Sequence, residues 1–343
     1  MTATNLDAFD MSSVTVGGLI REDMMNKIWD LSPVELPLTQ RIGSGSCVNP
    51  RFSWTIDKLA TPVITGQQID GADQTSTNNA TVGTRVNNFT EERVKVVQIS
   101  NRSEAVDSAG SIGTLAVQLM KRQQELRRDI EATILSNNAS LADNGTSVAG
   151  RTGGLDSWLA TNVSIGATGT AAGFSTSTGL TVAYGPGTKR AMSEAVFKDL
   201  LQSVYENGGE AMIVMARPPV VREFSEFQFT SGARIATMQK DNRGATGPAT
   251  ALGAVNVYIS DWGSVEIISN RMQAAISAGV STMFIIDPSL LELTFLQGYV
   301  TQPLAKTGLA EKRQIVVDVG LRVGNQAGLA AYRDIDETLA MTA

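Results

Sequence analysis

Histidine is absent from the 343-residue chain, cysteine occurs once as Cys47, and only 18% of residues carry a charged side chain. A zinc finger, a histidine-ligated metal, a Ser-His-Asp or Cys-His nucleophile and a disulfide framework are all excluded, because each needs imidazole or several thiolates. No glycine is followed by lysine, so the phosphate-cradling Gly-x-x-x-x-Gly-Lys loop is missing, and no Gly-x-Gly-x-x-Gly opens a helix. Gly145-Thr-Ser-Val-Ala149 comes nearest to a nucleophile elbow, but it ends in alanine and has no base. Long apolar runs are also lacking: 211–216 falls far short of the roughly 20 residues that span a bilayer. Asp7 and Asp10 precede the first basic residue, Arg21, with no apolar region of a signal peptide after it. With one thiol, the chain reads as cytosolic. The 28 Lys plus Arg against 34 Asp plus Glu leave a net charge of −6, which repels phosphate backbones.

What remains is carboxylate, lysine, tyrosine or backbone chemistry on a chain long enough for two domains. After about ten residues, Ile20, Met24, Ile28 and Leu31 recur at helical spacing until Pro33. Pro37 is expected to keep the chain extended and 43–46, Gly-Ser-Gly-Ser, to form a flexible joint. Residues 1–49 therefore read as an arm. From Pro50 the period changes to two: Phe52, Trp54 and Ile56 alternate with polar residues, and Val94 and Val96 repeat the pattern within 93–100. The simplest arrangement pairs these two stretches as a long β-hairpin. Its polar tip, 67–79, has nothing apolar enough to bury against its own chain.

Residues 112–137 form the clearest element, an amphipathic helix about 39 Å long. Leu115, Leu119, Leu126, Ile130 and Ile134 make its seam, with Lys121, Arg122, Gln124, Arg128 and Glu131 on the far side. Gly145 to Gly187 is loop around one short helical turn at 154–159. A second helix is expected after Thr188, with Ala191, Ala195, Leu200, Leu201 and Val204 inward and Asn207-Gly-Gly209 as its stop. Beyond it come a strand at 211–216, a short helix from Pro218, a hairpin of 255–260 with 265–269 turning at Gly263, and strands at 282–286, 290–296 and 314–323.

Few groups suggest chemistry. The carboxylates at Glu22-Asp23, Glu91-Glu92 and 334–337 (Asp-Ile-Asp-Glu) fit a solvated face or tail better than a cation site, since the spacing of a calcium loop is missing. The bases of the long helix are interleaved with acids, as on an exposed helix with i, i+4 pairs. Cys47 lacks a cationic neighbour that would activate it. Trp54 and Trp262 read as packing anchors. No catalytic residue, cofactor or metal ligand emerges.

The order of arm, projecting hairpin, long helix, α/β region and returning strands resembles the Hong Kong 97-type (HK97-like) fold of tailed-phage major capsid proteins. Local sequence sharpens this. Val255-Asn-Val-Tyr-Ile-Ser-Asp-Trp-Gly-Ser-Val-Glu-Ile-Ile-Ser-Asn-Arg271, Ile286-Asp-Pro288, the 304–317 stretch and Leu321-Arg-Val-Gly-Asn-Gln-Ala327 are similar to the major head proteins of SU-ten-type podophages. So are Thr152-Gly-Gly-Leu-Asp-Ser-Trp-Leu159 and Tyr205-Glu-Asn-Gly-Gly209.

The resemblance implies an α+β shell subunit and no enzyme: arm 1–49, extended loop 50–100, peripheral domain 101–187 with spine helix 112–137, axial domain 188–303, and returning strands 304–343. It implies identical subunits in hexamers and pentamers forming an icosahedral or prolate head around double-stranded DNA. Separate scaffolding, portal and possibly decoration proteins, assembly in the host cytoplasm and residence in the virion follow from the same likeness. Ile20, Met24, Ile28, Phe52, Trp54, Ile56, Lys58, Val94 and Val96 are the candidate inter-subunit contacts. Some relatives crosslink a loop lysine to a neighbour's asparagine; Lys58 is the candidate, but no matching asparagine and glutamate can be placed, so it reads as a surface lysine. Deleting 62–90 is expected to leave a folded monomer that cannot assemble. An encapsulin-like compartment, a carboxylate-based hydrolase and a tail-tube protein are the rival readings.

Overall fold

The computed structural model describes residues 25–71, 73, 82–106, 113–228, 238–239, 250–251, 256–306 and 308–342. In chain order the strands are β1 (Gly43–Ser46), β2 (Arg51–Ile56), β3 (Thr84–Phe89) and β4 (Glu91–Ser100). Helices α1 (Asn101–Ala105), α2 (Leu115–Ile134) and α3 (Leu155–Trp158) follow, then β5 (Val163–Ser164), β6 (Gly173–Ser175), β7 (Leu180–Val182) and α4 (Glu194–Glu206). Next are β8 (Ile213–Ala216), α5 (Pro218–Gln228), β9 (Met238–Gln239), β10 (Thr250–Ala251), β11 (Val257–Ser260) and β12 (Gly263–Ser269). The chain closes with β13 (Val280–Ile286), β14 (Leu291–Pro303), β15 (Ala310–Val323) and β16 (Ala330–Asp336).

Two sheets organise the body. One has the order β1-β14-β15-β4 and the other β11-β12-β8-β13-β16-β5. The six-stranded sheet is apolar on both faces. Val214, Ala216, Met283 and Ile285 pack against α4 and α5, while Ile213, Met215, Phe284 and Ile286 join the core that holds α2. Burial on both faces explains why 211–216 and 282–286 read as unbroken apolar runs rather than alternating ones.

The α2 seam lies where its spacing places it. Leu126, Ile130 and Ile134 share one core with Ile315, Val317, Val319 and Leu321 of β15. Twenty helical residues span about 30 Å. Gly208 closes α4 at φ +84°, its N–H donating to the Tyr205 carbonyl at 2.9 Å. The helix itself starts only at Glu194, after Ser193, so Ala191 precedes it, Ala195 faces solvent, and Phe197 takes the inward place.

Several expectations are corrected. The partner of β2 is β3, in register Arg51↔Phe89 to Ile56↔Thr84, whereas β4 pairs with β15. β4 alternates because one face lies on α2, through Lys95–Asp129 at 2.8 Å, and the other faces solvent. Of the arm, Ile20 and Met24 lie outside the described residues, and the part at 25–32 is not helical. Pro37 opens a tight turn rather than an extended segment, with Ile42 N–H donating to the Leu38 carbonyl at 3.1 Å. The Gly-Ser joint at 43–46 is β1, parallel to β14; at Gly45 a side chain would collide with Glu292, so glycine permits the close approach. The 145–187 loop carries β5, β6 and β7 as well as α3.

The carboxylates at 334–337 are neither solvated nor a tail. Asp334, at φ +59°, accepts N–H donations from Gly166 at 2.8 Å and Gly187 at 3.1 Å, and Glu337 is bonded to Arg217 and Ser281. Asp336 accepts from Lys189 at 2.8 Å and from Thr338. These donors hold its carboxyl down from the ordinary 3.8 to about 2. A carboxyl whose folded value is depressed stabilises the fold above its unfolded value, and that contribution is lost as pH falls through the folded one. The unfolding midpoint is therefore expected to drop as pH falls from about 4 to about 2, and Asp336→Asn to shrink that drop, in thermal melts at stepped pH. Between pH 5 and 8 there is no histidine to titrate.

Candidate inter-subunit surface

The base of the projecting loop is fixed by aromatic packing. Phe52 stacks on Trp54 with ring centroids 5.8 Å apart, Trp54 meets Trp158 at 5.4 Å, and Trp158 stacks on Phe174 at 5.6 Å. A methyl group at Gly320 would lie 2.6 Å from the Phe52 ring, so this glycine of β15 is the seat on which β2 rests. From β3, Asn88 is fully buried: its amide donates to the Leu321 carbonyl at 2.7 Å and its oxygen accepts from Gly153 N–H at 2.9 Å. Phe52 is thus buried in its own chain, which corrects its placement on an accessible contact surface. Trp54 and Ile56 are half-buried beside it.

Beyond this base the chain carries unburied apolar surface. Leu59, Val63, Ile64, Ile69 and Val82 are all exposed on the loop between β2 and β3. On the arm, Met25, Ile28, Trp29 and Leu31 are exposed along a segment tied to the α2 flank by Asp30–Lys121 at 3.7 Å. Val94 and Val96 stand out from the solvent face of β4. Large apolar side chains left exposed in such numbers along these segments mark a contact with another molecule. Lys58 donates to Asn207 Oδ1 at 3.2 Å within the same chain.

The arm is latched by a residue whose sequence position points elsewhere. Glu131 falls on the polar side of the helical wheel, yet it is fully buried. Its carboxylate accepts from Leu38 N–H at 2.8 Å, Thr39 N–H at 2.9 Å and the Asn270 amide at 2.8 Å. One side chain thereby joins the arm turn, the long helix and the end of β12. A buried carboxylate is tolerated because three donors replace its hydration.

Among the described residues, no cluster of three or more potential ligands could hold a metal ion, and no helix is long and apolar enough to cross a membrane. Burial, and then the nearby Asp318, push the Cys47 thiol above its ordinary value, away from a reactive thiolate.

Comparison with known proteins supplies the remaining evidence. The family model described as SU10 major capsid protein matches residues 2–336. The major capsid protein of Escherichia phage Phieco32 is 27% identical over 341 residues, covering 88% of this chain and 90% of that protein. Among solved structures, a chain from Microbacterium phage Oxtober96 superposes with a TM-score of 0.57 at 12% identity, covering 95% and 99% of the two chains. The capsid of an empty GTA particle gives 0.54 at 16% identity over 94% and 98%. The SrpI encapsulin of Synechococcus elongatus PCC 7942 gives 0.54 at 11% over 96% and 98%.

Proposed function

The chain belongs to the SU10 major capsid protein family, and from that premise we propose how its parts build the shell. It is a phage major capsid protein of HK97-like α+β fold whose identical subunits form the virion shell. The finer reading is a head of hexamers and pentamers, icosahedral or prolate, that encloses double-stranded DNA. Here residues 1–49 act as the arm and 50–100 as the extended loop, except that β4 belongs with β15 of the return, to which it pairs. Residues 101–187 with the spine helix α2 form the edge, 188–303 the axial domain, and 304–343 the return.

The observation that carries this is the loop between β2 and β3. Its base is anchored by the buried Phe52, Val86 and Asn88, yet five large aliphatic side chains along it are exposed. Their cover is a neighbouring subunit. The solvent face of β4, with Val94 and Val96, and the arm around Ile28 supply further contact, and Trp54, Ile56 and Lys58 line the loop's root. Such head-to-tail contacts close into rings when the rotation permits. The net charge of −6 fits a container whose DNA is confined with counterions rather than bound site by site. Scaffolding, portal and possible decoration proteins are separate chains in this reading, and assembly takes place in the host cytoplasm.

Negative-stain microscopy of the expressed protein tests the reading: closed shells are expected, and open tubes or dispersed monomers under all assembly conditions would overturn it. The encapsulin shares the fold. Particles recovered from infected cells should contain DNA; particles filled instead with an enzyme would favour the compartment reading.

A further inference from the structure

The two strands at the root of the loop present a second face, opposite the aromatic one. With a period of two, Arg51, Ser53 and Thr55 of β2 lie beside Asn87 and Arg85 of β3. The turn Thr176–Gly179 between β6 and β7 walls this face and encloses a cavity of about 330 Å³. Both guanidinium groups are held in place by neutral acceptors. Arg51 Nη2 donates to Asn87 Oδ1 at 3.0 Å, and the Asn87 amide is itself pinned to the Gly179 carbonyl at 2.8 Å. Arg85 donates from Nε and Nη2 to Ser53 Oγ at 3.2 and 2.8 Å. No carboxylate lines the cavity, and the arginines that form ion pairs among the described residues are others. Two fixed cations without counter-charge, on a protein of net charge −6, make a site for an anion.

The same element supplies that anion at its other end. Across 59–84 the only charged residues are Asp70 and Asp73, set three apart around Gly71 at φ +78°. Neither is in an ion pair among the described residues. The only charges on the paired strands β2 and β3 are Arg51 and Arg85, and the only ones on the loop across 59–83 are Asp70 and Asp73, so the two sets are complementary between copies, one copy's loop meeting the next copy's strands. Such a contact is heterologous and closes a ring where its rotation permits.

Resting on the shell reading above, we propose that the Arg51–Arg85 cleft receives the Asp70–Asp73 tip of a neighbouring subunit and sets the register of the loop on that neighbour. Charge complementarity of this kind selects register and partner, and like charges forced together there cost several kcal/mol.

Charge exchange tests it. Arg51→Glu with Arg85→Glu, and separately Asp70→Arg with Asp73→Arg, should each lower the fraction of chain sedimenting as shells by about tenfold or more. Combining all four should restore assembly to within about twofold of the original protein. Circular dichroism shows whether each variant is folded; should the glutamates disturb the fold, Arg51→Gln with Arg85→Gln gives a milder loss relative to the original protein, and that difference shrinks with added salt because salt screens the attraction the original still has. Shells from either reversed pair, or no recovery in the fourfold variant, would overturn the inference. So would intact shells that have lost affinity for inorganic phosphate or a DNA oligonucleotide, since the cleft would then serve phosphate. If the original protein forms no shells at all, it is the shell reading that fails.

Discussion

Removing residues 59–82 is expected to abolish shell formation and to leave a folded, more soluble monomer. The boundaries follow from the register. Ile56 and Thr84 are the last pair of the β2–β3 ladder, so the cut leaves Asp57, Lys58 and Gly83 to connect them. Three residues with glycine last make a standard tight hairpin, the glycine taking the left-handed position. The wider cut at 62–90 would instead remove β3, and with it Val86 and the buried Asn88 that ties the loop's root to Leu321 and Gly153. That variant is expected to misfold, because buried polar partners are left unpaired and Phe52 loses its strand. The narrow cut takes away Leu59, Val63, Ile64, Ile69 and Val82, all exposed, so the monomer sheds apolar surface at no cost to its core. Velocity sedimentation should show one small species at concentrations where the full chain forms particles, with an unchanged circular dichroism spectrum. Normal shells from this deletion would end the loop's role in assembly.

What could be read from sequence was whatever the local period and the family likeness expressed. The α2 seam was legible because one face meets a continuous apolar wall, so Leu126, Ile130 and Ile134 repeat at helical spacing. The alternation of 51–56 was legible for the same reason. Its partner was not: β3 reads Thr-Arg-Val-Asn-Asn-Phe, with buried Asn87 and Asn88 where apolar residues would have announced a strand. β4, which does alternate, was mistaken for the partner because period reveals a half-exposed strand but not what it pairs with. β16 was invisible since its Arg333, Asp334 and Asp336 are buried and bonded largely to groups far along the chain, Asp156, Gly166, Gly187 and Lys189. Glu131 and Asp334 went unread on the same account. A buried carboxylate looks like a surface one until its donors are located. Of the proposed contact residues, Phe52 shows no sign in sequence that it faces inward onto a glycine.

Arg333→Met should destabilise the subunit core by about 3–5 kcal/mol. Arg333 and Asp156 are fully buried, with Arg333 Nε donating to Asp156 Oδ1 at 2.7 Å. The guanidinium also donates to the Asp156 and Leu159 carbonyls, and stacks 4.4 Å from the Tyr184 ring centroid. Through this group the short helix α3 is fastened to β16 and hence to the six-stranded sheet. Burial pushes the Asp156 carboxyl up, Arg333 pulls it back, and desolvation likewise raises the Tyr184 phenol. Removing the cation therefore strands a carboxylate in a dry interior and frees two backbone carbonyls at once. Methionine fills most of the volume, so the loss measures charge and hydrogen bonding more than a cavity. Pairing it with Asp156→Leu removes the stranded charge and should recover at least half of the lost stability, because an apolar pair of similar size can replace a buried ion pair. Urea denaturation of the loop-deleted monomer, which cannot assemble, gives the comparison without interference from shells. A loss below about 1 kcal/mol for Arg333→Met would show that water reaches this site and that α3 is held by the Trp54–Trp158–Phe174 stack instead.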